Sequence, residues 1–239
     1  MAVEHENTAA TPTPRQTKSL LLALMVLTFN TGLIDAVSYI GLGRVFVANM
    51  TGNVVLLAFA AAGVSGLSVA RALSSLGGFL IGATIGGKLG TSLAGGSRRR
   101  LILSAGILEA FLIFAAAVSA IGFDMRSSAP AHQLYTMIVL TSLSMGLRNA
   151  TVRQLGVADV TTTVLTLTLT GLAADSPVAG GSNPRPARRI FSIVALFVGA
   201  LSGAYLLRYG VALPLFVTGA CVLFTTAAYA VIGATVVKE

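Results

Sequence analysis

Val47-Ala48-Asn49-Met50-Thr51-Gly52-Asn53-Val54 and, far downstream, Val157-Ala158-Asp159-Val160-Thr161-Thr162-Thr163-Val164 are two versions of one polar motif set in apolar surroundings. Each follows a second matched pair, Gly32-Leu33-Ile34-Asp35-Ala36 before the first and Gly146-Leu147-Arg148-Asn149-Ala150 before the second. Further on, Gly82 and Gly86 match Gly199 and Gly203, and Arg71 matches Arg188. Any single match is weak, because small apolar residues recur in lipid-soluble chains. Their common order indicates an internal duplication.

Composition says which solvent these motifs sit in. Hydrophobic residues fill 55% of 239 positions and charged residues only 10%, with a mean hydropathy of +0.86. A water-soluble domain carries about 25% charged residues, so lipid is the solvent that tolerates this surface. The net charge of +8 does not point to nucleic acid: the basic residues sit in short stretches between apolar runs, the mark of cytoplasmic loops. Cys221 stands alone in an apolar run, and His5 and His132 are far apart. No metal, cofactor or disulfide framework is expected, and no phosphate loop or nucleophile elbow marks an enzyme. Residues 1–18, polar and carrying Pro12 and Pro14, read as a flexible cytoplasmic tail without the apolar core of a cleaved leader. Residues 19–239 read as one transmembrane domain.

A crossing helix needs about 20 mainly apolar residues. Eight apolar segments can be marked, at 19–41, 45–64, 69–89, 101–123, 134–149, 157–174, 190–207 and 211–237. If all eight crossed, the tail with Arg15 and Lys18, the loop with Lys88 and Arg98 to Arg100, and the loop with Arg185, Arg188 and Arg189 could not share a side. Lys and Arg excess marks the cytoplasmic face. The rule is met when one segment of the first three, and one of segments four to six, enters and returns. Segments two and six have the most polar leading ends. The expected fold is an all-α membrane protein of about six transmembrane helices plus two re-entrant half-helices. It forms two inverted repeats, about 19–123 and 134–237, a recurring transporter plan. Both termini are then cytoplasmic.

Val45-Phe46-Val47-Ala48 suits an extended run, and about five extended residues reach roughly 16 Å, near mid-bilayer. Asn49 then caps a half-helix, with Asp159 in the same role in the second copy. Two such N-termini aimed at a common centre suit an anion, whereas the Asp of one copy points to a cation or neutral polar solute. Asn49, Thr51, Asn53, Asp159, Thr161 and Thr163 are therefore the candidate solute-binding residues. Their competing role is hydrogen bonding between helices. Leu165-Thr166-Leu167-Thr168-Leu169-Thr170 alternates like a strand, but an isolated strand in lipid leaves its backbone unsatisfied, so a shielded helix is expected. Asp35, Glu109 and Arg148, with Asn149 aligned to Asp35, are costly inside spans. They are candidates for proton coupling or for ion pairing. Gly78, Gly82 and Gly86, with Gly199 and Gly203, form small-residue rows for helix packing, between the two glycine helices or onto a partner copy. The function these features imply is a secondary transporter or channel for a small polar or anionic solute. A scaffold or accessory subunit is the alternative.

The runs Asp35-Ala36-Val37-Ser38-Tyr39, Gly41 to Asn53, Gly146 to Arg153 and Thr161 to Thr166 resemble the YoaK-like bacterial membrane proteins (domain of unknown function 1275). The resemblance extends from about Leu20 to the last span. It implies a bacterial inner-membrane protein with about six helices and supplies no substrate. Arg148 stands where the resemblance leads one to expect glutamine.

Overall fold

The computed structural model describes residues 14–93, 98–155 and 165–235, and every regular element among them is a helix. The order is α1 (Pro14–Gly41), α2 (Met50–Ala61), α3 (Val69–Ser92), α4 (Arg98–Ser119), α5 (Ala131–Leu155), α6 (Leu165–Ala174), α7 (Pro186–Leu206) and α8 (Ala212–Thr235). Five stretches are long and apolar enough to cross a membrane: Leu20–Gly41, Val69–Ser92, Arg98–Ser119, Pro186–Tyr209 and Ala212–Val231. Their outer faces carry exposed Leu80, Ile81, Phe111, Phe197, Leu201 and Phe224, a surface suited to lipid and not to water. The described residues form an all-helical membrane protein.

Helix α5 is as long as the crossing helices but less apolar. Its polar residues Thr141, Ser142, Ser144 and Arg148 are all buried, because α3 and α4 pack along it. Segment two, expected over 45–64, divides: 42–49 are non-helical, and α2 has only 12 residues. At 1.5 Å per residue α2 reaches about 18 Å, short of the roughly 30 Å core. Helix α6 is shorter still, with 10 residues, and it is helical through the Leu-Thr alternation.

The glycine rows do not mate with each other. Helix α3 packs on α5, and α7 packs on α1. A methyl group on Gly82 would strike the Leu143 carbonyl, and one on Gly146 would strike the Phe79 carbonyl and Ala83 nitrogen. The equivalent contacts recur in the other pair: Gly199 against the Phe29 carbonyl, and Gly32 against the Leu196 carbonyl and Ala200 nitrogen. Gly86 meets Leu147 and Ala150 as Gly203 meets Leu33 and Ala36. Residue numbers rise together along both pairs, so the mated helices run parallel. Backbones this close exclude any side chain, which is why the positions are glycine.

These contacts sort the loops. Leu20, Leu24, Leu89, Leu93, Leu101, Val152, Leu155 and Tyr229 cluster at one end. That end gathers the start of α1, the end of α3, the start of α4, and the ends of α5 and α8. Parallel pairing puts the start of α7 there as well. Lys88, Arg98, Arg99, Arg100, Arg153, Arg185, Arg188 and Arg189 all belong to it, so we name it the basic end. The far end holds the α1–α2 and α2–α3 connections, the α4–α5 loop, and Leu207 and Val211 against Gly41.

Candidate functional site

Helix α1 ends at Gly41, and the turn after it passes through Gly43 at a left-handed φ of +86° and Arg44 at φ +61°. The reversed chain then dives back beside α1 without helical hydrogen bonds, so its amides need other acceptors. Asp35 supplies one: its Oδ1 accepts from the Val47 amide at 3.1 Å and the Ala48 amide at 2.9 Å. Asn53, fully buried on α2, closes the other side. Its Oδ1 accepts from the Phe46 amide at 2.8 Å, and its Nδ2 donates to the Phe46 carbonyl and to Ser75 Oγ at 2.9 Å. Ser75 Oγ donates to the Phe46 carbonyl at 2.6 Å and meets Ser142 Oγ at 2.9 Å. Asn49 caps α2 through the Gly52 amide at 3.2 Å.

Both connections of α2 lie at one end of the bundle. The Arg71 guanidinium occupies the space beside Gly43, and the Arg44 guanidinium lies against Gly66. The second short helix is tied similarly to the start of α7: Arg189 donates to the Gly171 carbonyl at 2.6 Å and pairs with Asp175 at 2.8 Å.

A second polar centre lies mid-bundle. Arg148 of α5 pairs with Glu109 of α4, its Nε at 2.7 Å from Oε1 and its second guanidinium nitrogen bonding the same oxygen. The remaining guanidinium nitrogen donates to the Leu27 carbonyl at 3.0 Å and to Thr31 Oγ1 at 3.2 Å on α1. The two side chains are 1% and 4% exposed. Few buried pairs survive without such additional hydrogen bonds. Glu109 Oε2 accepts no hydrogen bond among the described residues, yet it is not sealed from solvent-sized space as both amide atoms of Asn30 are.

A cavity of about 50 Å³ begins at this pair and runs toward the basic end. Leu20, Leu24 and Leu27 of α1, Ile102 and Gly106 of α4, Val152 and Leu155 of α5, and Thr225, Thr226 and Tyr229 of α8 form its wall. That is room for a few water molecules or a small solute. Glu109 lies eleven residues into α4 from Arg98, about 16 Å along the axis, close to mid-bilayer depth.

The sequence-named residues thus fall into separate places. Asn49, Thr51 and Asn53 lie at the α2 hairpin, away from the cavity, with Asn53 engaged internally and Thr51 on the outer surface. Asp159, Thr161 and Thr163 lie outside the described residues. Asp35 spends its Oδ1 on the Val47 and Ala48 amides, just ahead of the α2 N-terminus that the sequence offers to an anion. Glu109 and Arg148 come together at the cavity floor. Asn149 donates to the Met145 carbonyl at 2.9 Å. Gly78, Gly82, Gly86, Gly199 and Gly203 are packing positions, each against the first helix of the other half. Sequence reasoning missed Thr31, Ser75, Ser142, Thr225, Thr226 and Tyr229. Among the described residues, no group of three or more His, Cys, Asp or Glu could hold a metal ion.

No solved structure matches this chain. The UPF0700 transmembrane protein YoaK of Bacillus subtilis (strain 168) is 37% identical over 162 residues, which cover 66% of this chain and 67% of the relative. Residues 23–228 match the family described as Protein of unknown function (DUF1275), and the chain belongs to that family.

Proposed function

We propose that this protein is a secondary transporter for a small polar or anionic solute in the bacterial inner membrane, a carrier and not an enzyme. Six helices cross (α1, α3, α4, α5, α7 and α8), and α2 and α6 enter and return. The two halves form inverted repeats. Three observations support that topology: the duplicated glycine contacts, the opposite directions of α1 and α5, and the paired loops at Gly43 and Gly66. With the basic end cytoplasmic, both termini are cytoplasmic, as is the relative excess of Lys and Arg.

The carrying observation is a cavity that runs from the buried Glu109–Arg148 pair toward the basic end, with that pair as its floor. An ion pair in the lipid-embedded core is costly to maintain, and such residues mark solute or proton paths. A scaffold role would use the glycine faces to grip a partner, but here the chain's own helices fill them. The test is solute uptake by purified protein in proteoliposomes, across a panel of anions, cations and neutral polar solutes. Saturable uptake of a panel member, lost in Arg148→Gln, is expected. No uptake of any solute by folded protein refutes the carrier.

A further inference from the structure

Building on that carrier reading, we propose that the cavity takes a short monocarboxylate together with one proton, the proton settling on Glu109 Oε2 and the carboxylate pairing with Arg148. Glu109 and Arg148 cancel each other's charge at the cavity floor. A bare anion arriving there would leave the low-dielectric centre with a net negative charge, which is prohibitively costly. Protonating Glu109 removes that excess and releases Arg148 for the incoming carboxylate, so the site is neutral before and after loading. Arg148 is not displaced when Glu109 lets go, because the Leu27 carbonyl and Thr31 Oγ1 still hold it.

The proton has a reachable acceptor. Both Arg148 contacts go to Oε1, and Oε2 takes no hydrogen bond among the described residues, while Glu109 lines the cavity. The other groups near it are few. Helix α5 brings Arg148, α8 brings Tyr229, the α1 wall brings only Leu20, Ala23, Leu24 and Leu27, and α3 presents Leu89 and Leu93 at this end. Asp35 feels the Arg148 charge but lies at the hairpin.

The wall selects the rest of the ligand. It is mainly aliphatic, with Thr151, Thr225, Thr226 and Tyr229 set into it, and Thr151 and Thr225 spend their hydroxyl protons on the Leu147 and Cys221 carbonyls. A polyhydroxylated or amide solute would lose most of its hydrogen bonds on entering, and a bare cation would unbalance the neutral Glu109–Arg148 pair as a bare anion would. A carboxylate on a short hydrocarbon stem fits both ends of the space.

Radiolabelled pyruvate is a suitable probe, since its strong acidity leaves little neutral form to leak through lipid. Proteoliposomes holding the full chain should accumulate it when the outside is made acidic. An imposed membrane potential should change that uptake little, because the loaded site carries no extra charge. Glu109→Gln should retain pyruvate counterflow and lose the acid-driven accumulation. Arg148→Gln should lose both. Because a variant of a buried pair can misfold, proton uptake on adding pyruvate to wild-type protein in weakly buffered detergent supplies a second reading, with one proton expected per pyruvate bound. Absence of proton uptake on binding, or acid-driven accumulation surviving in folded Glu109→Gln, overturns the proposal. Transport of other panel solutes without pyruvate overturns the ligand class and leaves the carrier standing. No transport at all removes both.

Discussion

Replacing Asp35 with alanine strands the Val47 and Ala48 amide protons in a place where lipid offers them no acceptor. Each unsatisfied buried group costs about 1–3 kcal/mol, so Asp35→Ala should lower the melting midpoint in detergent markedly. Asp35→Asn retains an acceptor oxygen and should lower it less. If the two variants melt alike, the amide contacts are not what Asp35 contributes. Glu109 and Arg148 were legible in the sequence as costly intramembrane charges and candidates for ion pairing, but which acid meets Arg148 was not. Residues so distant in sequence meet only because α4 and α5 pack together, and no local pattern encodes that meeting. Asp35 was legible as a conspicuous charge, whereas its role was hidden: the acceptor and its donors lie on opposite limbs of a chain reversal. Asn53 reads as a ligand when only its polarity is known, and as a brace once Phe46 and Ser75 are seen around it.

Among the elements, α3 offers an internal control. A methyl on Gly82 collides with the Leu143 backbone, whereas one on Gly77 meets nothing within 4 Å. Overpacking a close contact costs about 1–3 kcal/mol, and alanine improves helix propensity by up to about 1 kcal/mol. Gly82→Ala should therefore destabilise, and Gly77→Ala should leave the melting midpoint unchanged or raised. Equal effects would show that α3 does not mate with α5 as described. The glycine rows were visible from spacing alone, but a row has no address: its fit depends on a matching carbonyl ridge, which either α5 or the other glycine helix could have presented. For the α2 hairpin, single cysteines at Arg44 and Ser65, each in a Cys221→Ser background, should label from the same side of the membrane. In the α4–α5 loop, the Ser127 hydroxyl and the Arg126 amide donate to Asp124 and hold its carboxyl below the ordinary 3.8. The loop gains stability from this above the unfolded value and loses it as pH falls through the lowered one. An NMR titration should show the depressed midpoint moving up in Ser127→Ala.

For the molecule as a whole, the cavity breaks an otherwise matched arrangement. Leu20, Leu24 and Leu27 on its wall correspond to Leu134, Ile138 and Thr141 of α5, which are sealed in the core at 2%, 0% and 0% exposure. In inverted-repeat carriers the halves trade conformations to face the other side, so these three positions should line the cavity in the outward-facing state. A cysteine at Leu134, with Cys221→Ser, should resist an impermeant thiol reagent added from the far side at rest and react with it during transport. Constant reactivity indicates a channel, and permanent protection indicates a rigid bundle. The matched order of the motifs was legible in the sequence, and so was the grouping of the basic loops at one end. Which helix of one half grips which helix of the other was not, since apolar faces are interchangeable in lipid. That exchange of grips, α3 on α5 and α7 on α1, bears on biogenesis. As synthesis proceeds, the leading half leaves the insertion machinery with its grooves vacant and waits for its sibling. Expressed alone, either half should be cleared by quality-control proteases. The same two fragments, cut in the α4–α5 loop and made together, should rescue each other.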